Sequence, residues 1–192
     1  MDFFKKIFSP KSKTYDNLQE EQEEAKTAQM PDDERFVYKF IQNGGKFFYP
    51  EDMEQFRMEL LKLLKHLQID EYAVLERSYF HFLQKLKVPV KFGVKTDDVL
   101  LGGCESLIAH EGAIMTTDKH TGEYRNGELP QKRVIVALSD QIVSAKTQAL
   151  SAINKKYDSP PANIQTMSIF APDKNTLTGG KWFEVYLFLI EN

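Results

Sequence analysis

Cysteine is scarce in this sequence, basic charge is not in surplus, and long apolar runs are missing; each shortage removes a class of protein. Cys104 is the one cysteine in 192 residues, so no internal disulfide can form, and with four scattered histidines it supplies none of the paired spacings that hold structural zinc. A reducing compartment is expected. Lys and Arg number 25 against 28 Asp and Glu, a formal charge of -3, and no basic stripe interleaved with aromatics appears, which weighs against a nucleic-acid partner. No segment approaches the roughly 18 to 20 apolar residues that cross a bilayer. The opening Met1-Asp2-Phe3-Phe4-Lys5-Lys6-Ile7-Phe8 carries an acid where a signal peptide has basic residues, and two lysines interrupt its apolar stretch. No membrane span and a cytoplasmic location are therefore expected.

What is present suits one domain with an appendage. Apolar residues make up 42% and charged residues 28%, the usage of an ordinary globular chain that can offset the entropy of ordering a core. Residues 1–31 read as a polar lead: Ser9-Pro10 and the run Gln19-Glu20-Glu21-Gln22-Glu23-Glu24 offer almost nothing to bury. Phe3, Phe4, Ile7 and Phe8 ahead of that run would form one apolar face, able to dock on the domain, on a second subunit or on a membrane surface, the first two favoured because eight residues bury too little for stable membrane attachment. Residues 32–192 read as a single domain.

Within it the apolar period switches repeatedly between helix and strand. Asp32 or Asp33 is expected to cap a helix carrying Phe36, Val37, Phe40 and Ile41, which Asn43-Gly44-Gly45 stops. Lys46 to Tyr49 follows as a strand. Met53, Phe56, Leu60, Leu63, Leu64 and Leu67 then mark the clearest helix, Tyr72 to Leu75 a strand, and Tyr79, Phe80, Leu83 and Leu86 a further helix. This alternation demands crossovers, so the fold class is α/β with a mainly parallel sheet and flanking helices. Asp98 to Leu101, Leu107 to Ala109, Ala113 to Thr116, Arg133 to Leu138, Ile164 to Phe170 and Phe183 to Ile190 are read as strands inside a sheet, with a helix near Thr147 to Lys156.

Several chemical signatures fail on inspection. Asn175 to Trp182 ends in Gly-Lys but lacks the first glycine and the hydroxyl residue of a P-loop. His110-Glu111 opens like a zinc-protease helix, yet residue 114 is isoleucine, so no metal site is expected there. Gly103-Cys104-Glu105-Ser106-Leu107 matches a nucleophile elbow only loosely. Two glycine pairs beside strands remain, Gly102-Gly103 and Gly179-Gly180, the second followed by Lys181. Such pairs either make tight turns or let a ligand approach the unpaired backbone at a strand end, where a phosphate-bearing or otherwise anionic small molecule would fit. After the first pair come Glu105, His110, Glu111 and Gly112. Glu105 and Glu111 could act as base, nucleophile or hydroxyl clamp if they share a cleft, with His110 titrating near neutrality; otherwise they are surface acids beside a satisfied histidine. His66 suits the C-terminal end of a helix dipole, His81 and His120 read as surface residues, Cys104 as a buried thiol and Trp182 as core or pocket wall. No cofactor can be named from these residues.

The stretch Gly102 to Ile114, followed by Leu129-Pro130, Val134 to Ala137 and Gln141-Ile142-Val143, resembles the lactate-utilisation (LUD) domain family. The likeness spans residues 93 to 157, with weaker agreement from 33 to 92. Glu105 stands at the family's first acid, Gly112 at its glycine and Pro130 at its proline. His110 stands where the family has an acid, Glu111 where it has a small hydroxyl residue and Ala113 where it has Thr or Ser; the C-terminal Gly-x-His-Gly-Pro ending has no counterpart. The resemblance implies a fold like that of CoA transferases and sugar-phosphate isomerases, and a role as a non-cluster component or accessory protein of lactate oxidation to pyruvate. Iron-sulfur oxidoreductase subunits would be its partners, since one cysteine cannot ligate a cluster. An enzyme or binding protein for a phosphorylated or CoA-bearing molecule, a homo-oligomer, or a degenerate interaction module are the competing expectations.

Overall fold

The computed structural model describes Thr27, residues 29–167, Ile169 and residues 183–191. The apolar tip, the acidic run, Gly179-Gly180, Lys181, Trp182 and the end of the expected strand at Phe170 lie outside the described residues.

Helix α1 (Asp32–Gln42) begins after Pro31, whose φ of -52° suits the first turn of a helix; no side chain caps it, and Asp32, Asp33 and Glu34 occupy the first turn, where negative charge complements the dipole. The expected cap at Asp32 or Asp33 thus falls one residue earlier. Arg35 ties the incoming chain to α1, donating from Nε to the Thr27 carbonyl and from Nη2 to the Met30 carbonyl, each at 2.7 Å. Strand β1 (Lys46–Phe48) leads to α2 (Met53–His66), where Asp52 caps by accepting from the Gln55 amide at 2.7 Å. Met53, expected on the buried stripe, is 38% exposed; burial starts one turn later, at Phe56. Strand β2 (Tyr72–Val74), α3 (Arg77–Lys85) and β3 (Val90–Phe92) complete the first half.

In the second half come β4 (Val99–Gly102), β5 (Ser106–Ile108), β6 (Ala113–Thr116), the single-turn α4 (Asp118–Thr121), β7 (Lys132–Leu138), β8 (Ile142–Val143), α5 (Lys146–Lys156), β9 (Gln165–Met167) and β10 (Glu184–Ile190). These strands do not share one sheet. Six form a wholly parallel sheet in the order β1-β10-β7-β4-β2-β3, and four form a smaller mixed sheet in the order β8-β5-β6-β9. In the smaller sheet β6 runs antiparallel to both β5 and β9.

Packing follows from the order of the strands. From β1 to β2 to β3 the chain advances toward one edge, and α2 and α3 bury Phe56, Leu60, Leu63 and Leu83 on one face against Tyr72, Val74, Leu101, Val134 and Phe188. From β4 to β7 to β10 it advances the other way. Its connections accordingly cover the opposite face, where α1 and the small sheet set Phe36, Phe40, Leu107, Ile114 and Met167 against Ile135, Val185 and Leu187, as right-handed crossovers require. Helix α5 closes the outer side of the small sheet with Ala149 and Ile153 on Ile108 and Met115. Each fully buried Phe or Leu in these layers contributes about 1.5–3 kcal/mol.

Candidate functional site

The strand order reverses between β2 and β4, because the chain leaves β2 toward one edge and β4 toward the other. Connections on opposite faces leave a crevice at the carboxyl ends of these two strands, the place where open α/β sheets take their ligands. Gly102 ends β4 and Gly103 follows, so the first glycine pair emerges at this crevice. Across from it, Glu76 follows β2 and precedes α3. The Gly103 amide donates to Glu76 Oε1 at 3.1 Å, bridging the two strand ends.

The walls of the crevice are tightly fitted. Tyr79, in the first turn of α3, donates its hydroxyl to the Val136 carbonyl at 3.3 Å. A Cβ on Gly103 would stand 2.8 Å from that hydroxyl oxygen and 3.1 Å from the ring, so only glycine lets the tyrosine lie over the strand end. Gln141, after β7, donates from Nε2 to the Cys104 carbonyl at 2.6 Å and accepts from the Leu138 amide at 2.7 Å, which fastens the β7 exit to the β4 exit. Burial raises the Glu76 carboxyl above its ordinary range, and the Gly103 hydrogen bond only partly offsets this. Burial, with Glu105 and Glu76 nearby, pushes the Cys104 thiol up, so Cys104 is an inert buried thiol.

Glu105 lies on the far side of Cys104, 7% exposed. Its carboxylate accepts from Lys156 Nζ at 2.8 Å and from the Tyr157 hydroxyl at 3.0 Å, both at the end of α5. Burial works against the Lys156 charge, but its bonds to Glu105 and Tyr157 outweigh that and raise its pKa. His120, expected at the surface, is half-buried; its Nδ1 contacts the Thr117 hydroxyl at 3.1 Å and amide at 3.3 Å. Burial lowers its pKa, with the Glu105 charge opposing.

His110 and Glu111 are exposed at the opposite end of the β5–β6 hairpin. Their side chains do not share a cleft with Glu105: the His110 amide donates to the Ser144 carbonyl at 3.1 Å, and Asn43 Nδ2 donates to the Glu111 carbonyl at 2.9 Å. Gly112 turns the hairpin with φ +58°, and a Cβ there would meet the Lys39 and Phe40 backbone at 2.6 Å, so this glycine seats the hairpin on α1. Gly102, Gly103 and Glu105 thus occupy one neighbourhood, His110, Glu111 and Gly112 another. The sequence singles out neither Glu76 nor, beyond its place on the helix stripe, Tyr79, although an acid directly between a predicted strand and a predicted helix is the available signal. Lys156 and Tyr157 left no comparable trace. Among the described residues no group of three or more His, Cys, Asp or Glu could hold a metal ion, and no helix is long and apolar enough to cross a membrane.

The strand order and connections together define an α/β domain with a mainly parallel sheet and a topological switch point between β2 and β4. No family model matches the sequence, and no curated protein matches it. The fold is similar to that in a crystal structure of a DUF162 family protein from Deinococcus radiodurans, with a TM-score of 0.58 and 12% identity over 88% of this chain and 98% of that one. At that identity the likeness is one of fold.

Proposed function

We propose that this chain is a divergent lactate-utilisation-type domain, a non-cluster component or accessory protein of lactate oxidation to pyruvate, and that it holds an anionic small molecule at the switch point between β2 and β4. The observation that carries the site is the pairing of Gly103 with Glu76 across the point where the strand order reverses. The family reading is supported by the fold match, since DUF162 is the lactate-utilisation-like family, and by the Glu105, Gly112 and Pro130 correspondences. An iron-sulfur cluster does not fit this chain, whose one cysteine is buried, so cluster-bearing partner subunits would carry the electrons.

Burial disfavours the charged form of Glu76, which lessens the repulsion an anionic guest would meet. Helix α3 starts directly after Glu76 with no side chain capping its first amides, and such amides favour a carboxylate or phosphate group. Those amides equally support the second reading, a binding protein or enzyme for a phosphorylated or CoA-bearing molecule. In that reading Glu105 is the acid closest in the chain to the glycine pair, while His110 and Glu111 serve away from the crevice.

Deletion of the gene followed by growth on L-lactate tests the pathway, with slower growth expected and unchanged growth contradicting it. Thermal-shift measurements with L-lactate, coenzyme A and sugar phosphates test the site. A ligand at 100 times its Kd adds about 2.7 kcal/mol, and no shift with any of them would overturn ligand binding.

A further inference from the structure

A second depression lies at the far edge of the sheet, beside β1, about 620 Å³ in volume and within the usual range of small-molecule sites. Three strand spacings, roughly 14 Å, separate β1 from β4, and Lys46 opens β1 at the rim opposite Gly102. Its floor is apolar: Ile41, Phe47, Phe48 and Leu63. Along its wall runs one face of α2, on which Glu59, Lys62, Leu63 and His66 recur at steps of three and four. Lys62 supplies positive charge, whereas the Lys46 ammonium at the mouth is engaged by Glu184 and Tyr186. Glu59 supplies an unmet demand: its Oε1 accepts from Gln55 Nε2 at 3.0 Å, but its Oε2 is buried with no hydrogen-bond partner. A buried carboxyl oxygen left without a donor is destabilising, and a ligand donor would relieve it.

We propose that this groove is a second ligand site, independent of the switch-point crevice, and that it takes an amphipathic anion bearing a hydroxyl or N–H donor beside its apolar body. The apolar body rests on Phe48 and Leu63, the anionic head faces Lys62, and the donor reaches Glu59 Oε2. No bond is made or broken.

The dye 8-anilinonaphthalene-1-sulfonate carries all three features, so its fluorescence with the full-length folded chain is the readout. Saturable binding is expected, weakened about tenfold or more, or about 1.4 kcal/mol, by Lys62→Glu with His66→Glu and by Leu63→Trp, and unchanged by Glu111→Ala. In competition, 3-hydroxydecanoate should displace the dye best, decanoate less well and decanol least. Glu59→Gln should erase the advantage of the hydroxy acid while leaving decanoate unchanged, because Oε1 of the glutamine keeps its bond to Gln55 and its NH2 cannot accept. Absence of saturable binding, equal affinity in the exposed Lys62→Glu, His66→Glu variant, or equal displacement by decanol would each overturn the proposal. Switch-point binding of lactate or coenzyme A is unaffected by either result.

Discussion

The large sheet and the small one are both buried, yet they are held differently. Strands β7 and β10 pair over seven residues, from Lys132 with Glu184 to Leu138 with Ile190, while among the described residues no strand of the small sheet exceeds four. Both faces of the large sheet are covered by clusters of more than a dozen buried residues, whereas the outer face of the small one rests on five. The large sheet therefore fixes the switch point, and the small sheet lies on it through the shared core around Leu107, Ile114 and Met167 and two seams, Gly112 on α1 and Glu105 with Lys156 and Tyr157.

The largest effect should come from the core of the large sheet. Leu187→Ala, in a central strand, should cost about 4 kcal/mol, and Met115→Ala, in the thin outer layer of the small sheet, about 2 kcal/mol. Urea unfolding would show this, and equal losses would erase the distinction between the sheets. Next comes the seam on α1: Gly112→Ala forces a Cβ into a left-handed backbone against α1 and should cost about 2 kcal/mol, with amide exchange rising at the hairpin before the large sheet.

The two acids of the small sheet sharpen the comparison further. Glu105→Ala should cost about 1–3 kcal/mol by removing the acceptor shared by Lys156 and Tyr157. Glu111→Ala should stay within about 0.5 kcal/mol, as an exposed substitution does. Similar losses for the two would contradict the hairpin geometry.

Glu76→Gln should act in the opposite direction, stabilising by about 1 kcal/mol near neutrality. Because the folded-state pKa of Glu76 is raised from 4.5, the folded protein holds its proton more tightly than the unfolded chain. Stability is therefore lost as pH rises from the unfolded value through the folded one, and the penalty is complete above it. The advantage of Glu76→Gln over the parent should shrink as pH falls through the raised folded value and vanish below about 4.5. An advantage independent of pH would show that the carboxyl is not desolvated.

The parallel architecture was legible because long, continuously apolar runs such as Arg133 to Leu138 and Phe183 to Ile190 have few other uses, and because helix and strand periods alternate from Asp32 to Val90. The split into two sheets was not. β5 and β6 are buried throughout, like β4, so composition does not reveal which sheet a short strand joins. The same limit applied to the site. Gly102-Gly103 stood out as a pair at a strand end, but pairing with Glu76 spans 27 residues and depends on β2 and β4 becoming neighbours. His110, Glu111 and Gly112 are near Glu105 in sequence and divided from it by the length of a strand.

Amide hydrogen exchange with and without saturating L-lactate, inorganic phosphate or coenzyme A tests the switch-point site most directly. Protection should appear in residues 76–79 and 102–105. Ligand-dependent protection confined to residues 110–112, with none at those two segments, would contradict it.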